Sequence, residues 1–217
     1  METAIESVSQ PPRVTRRQMQ AAQTRRDVLM AARQLFVEHG YASTSMQQIA
    51  DQAGVALQTV YSSAGAKPAI VMALVDLIDE EAGLSEAVPA ALAESDPRRL
   101  IAWSVRIPYR FVERCGDYLT ALISAAAVEE GAAKALKESW TRHQRGAAHV
   151  AHKLVATGGV RPGLTVEDVH AAIALTTWAA TQLQARDGLG WDGPTWERWA
   201  VKFLTNAILD SDEPSFL

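Results

Sequence analysis

The sequence has few of the features that mark secreted or membrane proteins. Its single cysteine, Cys115, excludes an internal disulfide bond and gives no support for secretion. The chain does not open with a basic segment followed by an apolar one, so we expect no signal peptide. The longest apolar stretch without charge, residues 171–185, is too short to span a bilayer. We therefore expect a cytoplasmic protein with no membrane partner.

The sequence also lacks a useful alternation of apolar and polar residues, and it has no internal repeat. Apolar residues recur instead at helical spacing, which predicts an all-α fold for the 217 residues. The predicted helices cover residues 18–39, 44–52, 56–62, 68–81, 97–114, 117–130, 132–157, 165–186 and 194–209. Glycine and proline predict turns at residues 83–89, 116, 131, 158–163 and 188–194. Thr44 and Gln47 have the spacing of a capping box, and Pro108 should kink its helix.

Charge is distributed unevenly along the chain. The net charge of −4 does not favour a polyanionic partner. From Arg13 to Lys67, however, seven basic residues face three acidic ones, a net charge of +4. Residues 68–217 contain 14 basic and 20 acidic residues, a net charge of −6. The asymmetry predicts a small basic module on an acidic body, with chance fluctuation as the alternative.

The stretch IADQAGVALQTVY, residues 49–61, predicts two short helices joined by a glycine turn. Gly54 can take the left-handed conformation, Ala50 allows close approach, and Val60 packs the second helix onto the first. This is the geometry of a helix-turn-helix, although an ordinary helical hairpin with a glycine is the alternative. The second helix would enter the DNA major groove and present Leu57, Gln58 and Thr59 to base edges. The Gln58 amide suits adenine, whereas Leu57 either meets a thymine methyl or packs against Val60.

A longer stretch, from Thr24 to about Ala82, resembles the N-terminal domain of TetR-type transcriptional regulators, the tetracycline-repressor family. The matching residues are AARQLFVEHGYASTSMQQIADQAGVALQTVY, followed by Gly65 and Lys67. The Ser-, Gln- and Pro-rich start of the chain, which has no helical period, predicts a flexible tail (1–21). The resemblance implies a helix-turn-helix domain (22–82) and a helical ligand-binding and dimerisation domain (83–217). It also implies phosphate contacts by Thr44, Tyr61 and Lys67 and base-facing roles for Gln58 and Thr59.

The chain departs from the family pattern at several positions. Many relatives have Ser where Ala56 stands and Ser or Asn where Ala66 stands, so two probable helix caps are absent. Ala64 stands where many relatives have Phe, a large core residue, and Ser63 stands where they have His or Tyr. These departures bear on operator affinity, and they motivate an alternative function as a ligand-binding or scaffold dimer with weakened DNA binding.

The acidic body is expected to hold a pocket for a small apolar or aromatic ligand. Apolar stripes on three predicted helices place there Trp103, Ile107, Phe111, Trp140, His143 and Thr176. An ordinary core, with His143 as a satisfied buried residue, is the alternative. The last helix carries a stripe wider than a monomer needs, so we expect a homodimer interface formed by Trp196, Trp199, Phe203 and Ala207. A helix that merely covers the core is the alternative.

Enzyme motifs are weak. Gly188, Gly190 and Gly193 spell a dinucleotide fingerprint, but they follow a predicted helix rather than a strand. His149 and His152 share a helical face without a third metal ligand nearby. We expect no catalytic residues, metal or cofactor. The sequence thus predicts a homodimeric DNA-binding regulator that acts as a repressor. We expect it to bind a pseudo-palindromic double-stranded operator and to be released by a small molecule, with an all-α enzyme as a further alternative.

Overall fold

The computed structural model describes residues 15–81 and 84–210. Within them lie ten helices: α1 (Arg16–His39), α2 (Met46–Ala53), α3 (Leu57–Ala64), α4 (Lys67–Glu81), α5 (Leu84–Ala93), α6 (Pro97–Ala126), α7 (Glu130–Ala156), α8 (Val166–Thr176), α9 (Ala179–Leu189) and α10 (Gly193–Ile208). The described residues form no β-strand, and a single bridge pairs Val160 with Leu209. The predicted all-α fold is confirmed. No helix among these residues is long and apolar enough to cross a membrane.

The first three helices form the predicted helix-turn-helix arrangement. Gly54 ends α2 with φ +67°, a left-handed conformation that residues with a Cβ rarely adopt. The predicted capping box is wrong by one residue, because Ser45 caps α2 and Gln48 returns the hydrogen bond. Helix α1 begins at Arg16 with a capping box of its own at Thr15, so residues 16–21 of the predicted tail are helical. Residues 1–14 lie outside the described residues.

Several boundaries in the rest of the chain differ from prediction. Gly116 does not end a helix but lies inside α6, where a Cβ would be 3.3 Å from an Arg186 side-chain nitrogen and 3.4 Å from Leu183. The glycine therefore allows α9 to approach α6 closely. The helix predicted over 165–186 is two helices, broken at Thr177 and Trp178. Helix α5 covers most of the predicted turn at 83–89, and Gly83 lies outside the described residues.

Two apolar clusters form the core, and α6 contributes to both. The first cluster joins the three N-terminal helices and α4 to the C-terminal half of α6, through residues such as Phe36, Ile49 and Val60. The second joins the N-terminal half of α6 to α7, α8 and α10, around Trp196. Because α6 is continuous through Pro108, it links the N-terminal module mechanically to the helices that follow.

Candidate nucleic-acid interface and ligand cavity

Helix α3 has one face anchored in the protein and one exposed face. Val60 and Ala64 are buried in the N-terminal core, so small Ala64 still packs there. On the other face Gln58 is exposed and Thr59 is half-buried. Leu57 packs partly against the core, which favours the structural alternative over a contact with a thymine methyl. Ala56 precedes the helix without a side-chain cap, as its sequence predicted.

The three residues expected at phosphates differ in their surroundings. Tyr61 is 44% exposed on α3, and its contact with a phosphate stays a prediction. Thr44 is only 2% exposed, and its hydroxyl lies 2.9 Å from the Gly40 carbonyl and 3.2 Å from that of Leu35, to either of which it can donate. Its side chain therefore holds the turn after α1 and is not directed at solvent. The exposed hydroxyl at the start of α2 belongs to Ser45. The sequence prediction of a phosphate contact had chosen its neighbour, Thr44.

Lys67 is held inside the protein at the start of α4. Its ammonium donates to the carbonyls of Tyr41 (2.9 Å) and Thr44 (3.2 Å) and pairs with the Glu129 carboxylate (3.2 Å). It also lies 4.3 Å from the centre of the Tyr41 ring. Burial, and then the Glu129 charge, raise the pKa of Tyr41 to about 12. The structure thus gives Lys67 a role between domains that the sequence did not suggest.

Cations on α1 are additional candidates for DNA phosphates. Arg16, Arg17, Arg25 and Arg26 are exposed along its N-terminal half, whose first turn contains no acidic residue. The Arg25 guanidinium donates to the Ser63 carbonyl near the end of α3, and this hydrogen bond connects α1 to α3. The uneven charge of the sequence was the signal for this basic surface.

An apolar cavity of about 410 Å³ lies among α4, α5, α6, α7, α8 and α9. Four of the six predicted pocket residues line it: Trp103, Ile107, Phe111 and His143. Trp140 stands behind His143 and Trp178, with its ring centre 4.9 Å from that of Trp178, and does not line the cavity. Thr176 is buried outside the cavity wall, where Thr177 takes its place because the helix ends between them. Sequence reasoning missed Trp178 for the same reason.

His143 is the imidazole most enclosed by aromatic rings in this wall. Its ring centre lies 5.7 Å from that of Trp140 and 5.4 Å from that of Trp178. The Nε2–H group donates to the Ala174 carbonyl at 3.0 Å. Burial lowers the pKa of His143 below its ordinary value, against the opposing effect of that hydrogen bond, and the nearby His170 lowers it further. The neutral imidazole is therefore the form this site favours.

A second cavity, of about 480 Å³, lies between α1, α6, α9 and α10. Its wall mixes the arginines Arg33 and Arg186 with the carboxylates Glu113 and Asp117. Arg33 pairs with Asp117 at 3.5 Å. This charged wall does not suit an apolar ligand, so the first cavity is the candidate ligand site.

The expected dimer residues separate into two groups. Trp199 and Phe203 are 41% and 45% exposed, and their rings stack with centres 5.2 Å apart. Leu175 and Leu189, which the sequence did not suggest, are also exposed apolar residues of α8 and α9. Trp196 is only 1% exposed in a single protomer and belongs to its core, and Ala207 is half-buried against the same core. On α10, the large apolar side chains available to a partner are therefore those of Trp199 and Phe203.

Comparison with known proteins agrees with this geometry. Residues 28–74 match the family model described as bacterial regulatory proteins, tetR family. NalD, the secondary repressor of the MexAB-OprM multidrug efflux pump in Pseudomonas aeruginosa, has a similar fold, with a TM-score of 0.70 and 21% identity over 88% of this chain and 98% of NalD. SmeT, solved as a complex with triclosan, gives a TM-score of 0.67 and 18% identity over 88% of this chain and 93% of SmeT. No curated protein matches the chain by sequence.

The described helices form an all-α fold whose N-terminal part is a helix-turn-helix module. Residues 28–74 match the tetR family of bacterial regulatory proteins, so the resemblance seen in the sequence is confirmed for this part of the chain. The remaining helices share the fold of the solved structures.

Proposed function

We propose that this protein is a homodimeric repressor whose operator affinity falls when a small apolar or aromatic molecule enters the α4–α9 cavity. The observation that carries the proposal is the position of that cavity. Val112 and Leu119 of α6 line it and also belong to the core of the N-terminal module, and Val75 of α4 lines it directly behind that module. A ligand that moves these residues changes the packing that positions α3, the helix proposed to read the DNA.

The mechanism is a shift between two populations of the dimer. In one, the two α3 helices match successive major grooves, and Gln58 and Thr59 meet base edges. In the other, a ligand holds α4 and α6 in positions that change the separation of the two modules. The ligand favours the second state only by the difference in its affinity for the two states.

The second protomer supplies the second recognition helix. Trp199 and Phe203 on α10 offer apolar surface for a two-fold contact, and Leu175 of α8 and Leu189 of α9 are also exposed. NalD is a repressor and SmeT was solved with triclosan, and both similarities support a repressor that responds to a small molecule.

Binding to the DNA upstream of the protein's own gene tests this function. We expect affinity to fall steeply with salt, because cations on α1 and near α3 release counterions from phosphates. Uncapped Ala56 favours the alternative, a ligand-binding dimer with weakened DNA binding. That alternative predicts binding no tighter than to unrelated DNA of equal length. Turnover of a bound compound would instead indicate an enzyme.

A further inference from the structure

The hydroxyl groups around the apolar cavity share one property: each donates its proton to a backbone carbonyl. The hydroxyls of Ser104, Ser139 and Thr177 donate to carbonyls within their own helices, at 2.8, 3.0 and 2.7 Å. A hydroxyl that has donated its proton can meet a ligand only as an acceptor. These three hydroxyls can therefore offer a ligand only acceptors.

His143 adds an acceptor whose orientation is fixed. A carbonyl oxygen can only accept, so the 3.0 Å contact with Ala174 places the proton of the neutral ring on Nε2. Thr177 Oγ1, which donates to Ile173, lies 3.3 Å from the same nitrogen. The other ring nitrogen, Nδ1, keeps its lone pair and makes no hydrogen bond to a residue that the structure describes.

The charge of the wall restricts the ligand further. Arg142 is the charged residue in the wall, and its guanidinium pairs with Asp76 at 2.5 Å and Glu138 at 3.7 Å. No carboxylate belongs to the described wall itself, so a cationic donor would be buried without a counterion. A neutral donor avoids that cost. The rings of Trp103, Phe111 and Trp178 favour an aromatic body for the molecule that carries it.

We propose that the cavity selects neutral aromatic molecules that carry a hydroxyl group, with the phenolic O–H donating to Nδ1 of His143. This inference rests on the proposed ligand-binding function and specifies its ligand class. A phenol supplies a donor for Nδ1 and the aromatic surface in one group. An apolar molecule of the same shape would offer Nδ1 no donor.

A pair of matched probes, 1-naphthol and 1-methylnaphthalene, tests the role of the hydroxyl. Calorimetry on the full-length protein gives the affinity of each probe for wild type and for His143→Phe, which keeps an aromatic ring and removes the acceptor. We expect the preference for 1-naphthol over 1-methylnaphthalene to fall about tenfold in His143→Phe. His152→Phe is the matched control, because this exposed histidine of α7 lies outside the cavity wall, and the wild-type preference should persist.

The outcomes separate the two proposals. An equal preference in wild type and His143→Phe, with both probes bound, overturns the hydroxyl inference and leaves the apolar pocket. Failure of both probes to bind wild type overturns the pocket as well. If His143→Phe does not fold, nitrogen NMR of labelled histidine in the wild type decides. A proton-free Nδ1 signal that shifts with 1-naphthol and not with 1-methylnaphthalene supports the inference, and a signal that ignores 1-naphthol overturns it.

Discussion

Lys67 and Glu129 join the N-terminal module to the C-terminal helices through an ion pair of 3.2 Å between Nζ and Oε1. Lys67 begins α4, directly after the recognition helix, and Glu129 precedes α7, which forms part of the cavity wall. The adjacent Gly131 allows this approach, because a Cβ there would lie 2.8 Å from Cγ of Pro68. The start of α4 is thus fixed to the start of α7 beside the module that binds DNA.

Replacing Lys67 by Met distinguishes its contact with Glu129 from a contact with DNA. The variant keeps the aliphatic stem and removes the ammonium from two backbone carbonyls and one carboxylate. We expect the free energy of unfolding to fall by about 1–3 kcal/mol. The salt dependence of operator binding should keep its slope. A slope lower by about one counterion per protomer would instead show that Lys67 contacts a phosphate.

A double-mutant cycle with Glu129→Gln checks that the effect arises from this pair. Because the two side chains touch, the two destabilisations should not add. Urea unfolding of the four proteins gives the coupling free energy. Additive effects would contradict a direct role for the ion pair.

Replacing Gln58 by Ala should relax the sequence preference at one base pair of each half-site. Gln58 is exposed on α3 and can form a bidentate contact with adenine, so we expect a cost of about 1–3 kcal/mol for the preferred base. Competition between operators that differ at single base pairs measures this change. Thr141→Ala, an exposed change on α7 away from the module, should leave every preference intact. Unchanged discrimination in Gln58→Ala would remove this residue from the base-facing set.

Replacing Phe203 by Glu should give a folded monomer. Phe203 is half exposed in one protomer, so the substitution spares its core but places an unpaired charge in an apolar dimer contact. Sedimentation should show the monomer, with weak operator binding because the second module is no longer tethered. Lys202→Glu, its exposed neighbour, serves as the control for a change of charge. A Phe203→Glu protein that still sediments as a dimer would place the interface elsewhere.

Acid should destabilise the protein through His143. Burial lowers the pKa of this imidazole, so the folded state resists a proton that the unfolded chain accepts below its ordinary pKa of 6.5. The stabilisation is present above that pH and is lost as the pH falls through the lower, folded pKa. Urea unfolding of wild type and His143→Phe over this range isolates the contribution. The variant should lose less stability on acidification, and parallel curves would contradict a neutral His143.

The helix-turn-helix could be predicted from sequence because its determinants are local. Gly54 ends one helix, Val60 packs the next, and both lie within a few residues of the turn. The capping box was misplaced because Thr44 and Ser45 both have a glutamine three residues later. The choice depends on a tertiary contact, the burial of Thr44 beneath the turn after α1.

The lining of the cavity could be predicted only in part, because the residues that face inward depend on where the helices break. A continuous helix over 165–186 puts Thr176 on the inner stripe, but the break after it turns Thr177 and Trp178 inward instead. Similarly, glycine often ends a helix, yet Gly116 lies inside α6 and allows α9 to pack closely against it. The role of Lys67 depends on Glu129, 62 residues away, which no local pattern connects to it.

Selection of double-stranded DNA from a random pool tests the central claim most directly. A dimer that presents two α3 helices should enrich a two-fold symmetric motif, with half-site centres separated by about one helical turn or a multiple of it. The Phe203→Glu protein should enrich a single half-site without that symmetry. The base pair contacted by Gln58 should still be selected in it. Recovery of no motif by the wild-type protein would contradict a sequence-specific regulator and leave a ligand-binding dimer as the function of this fold.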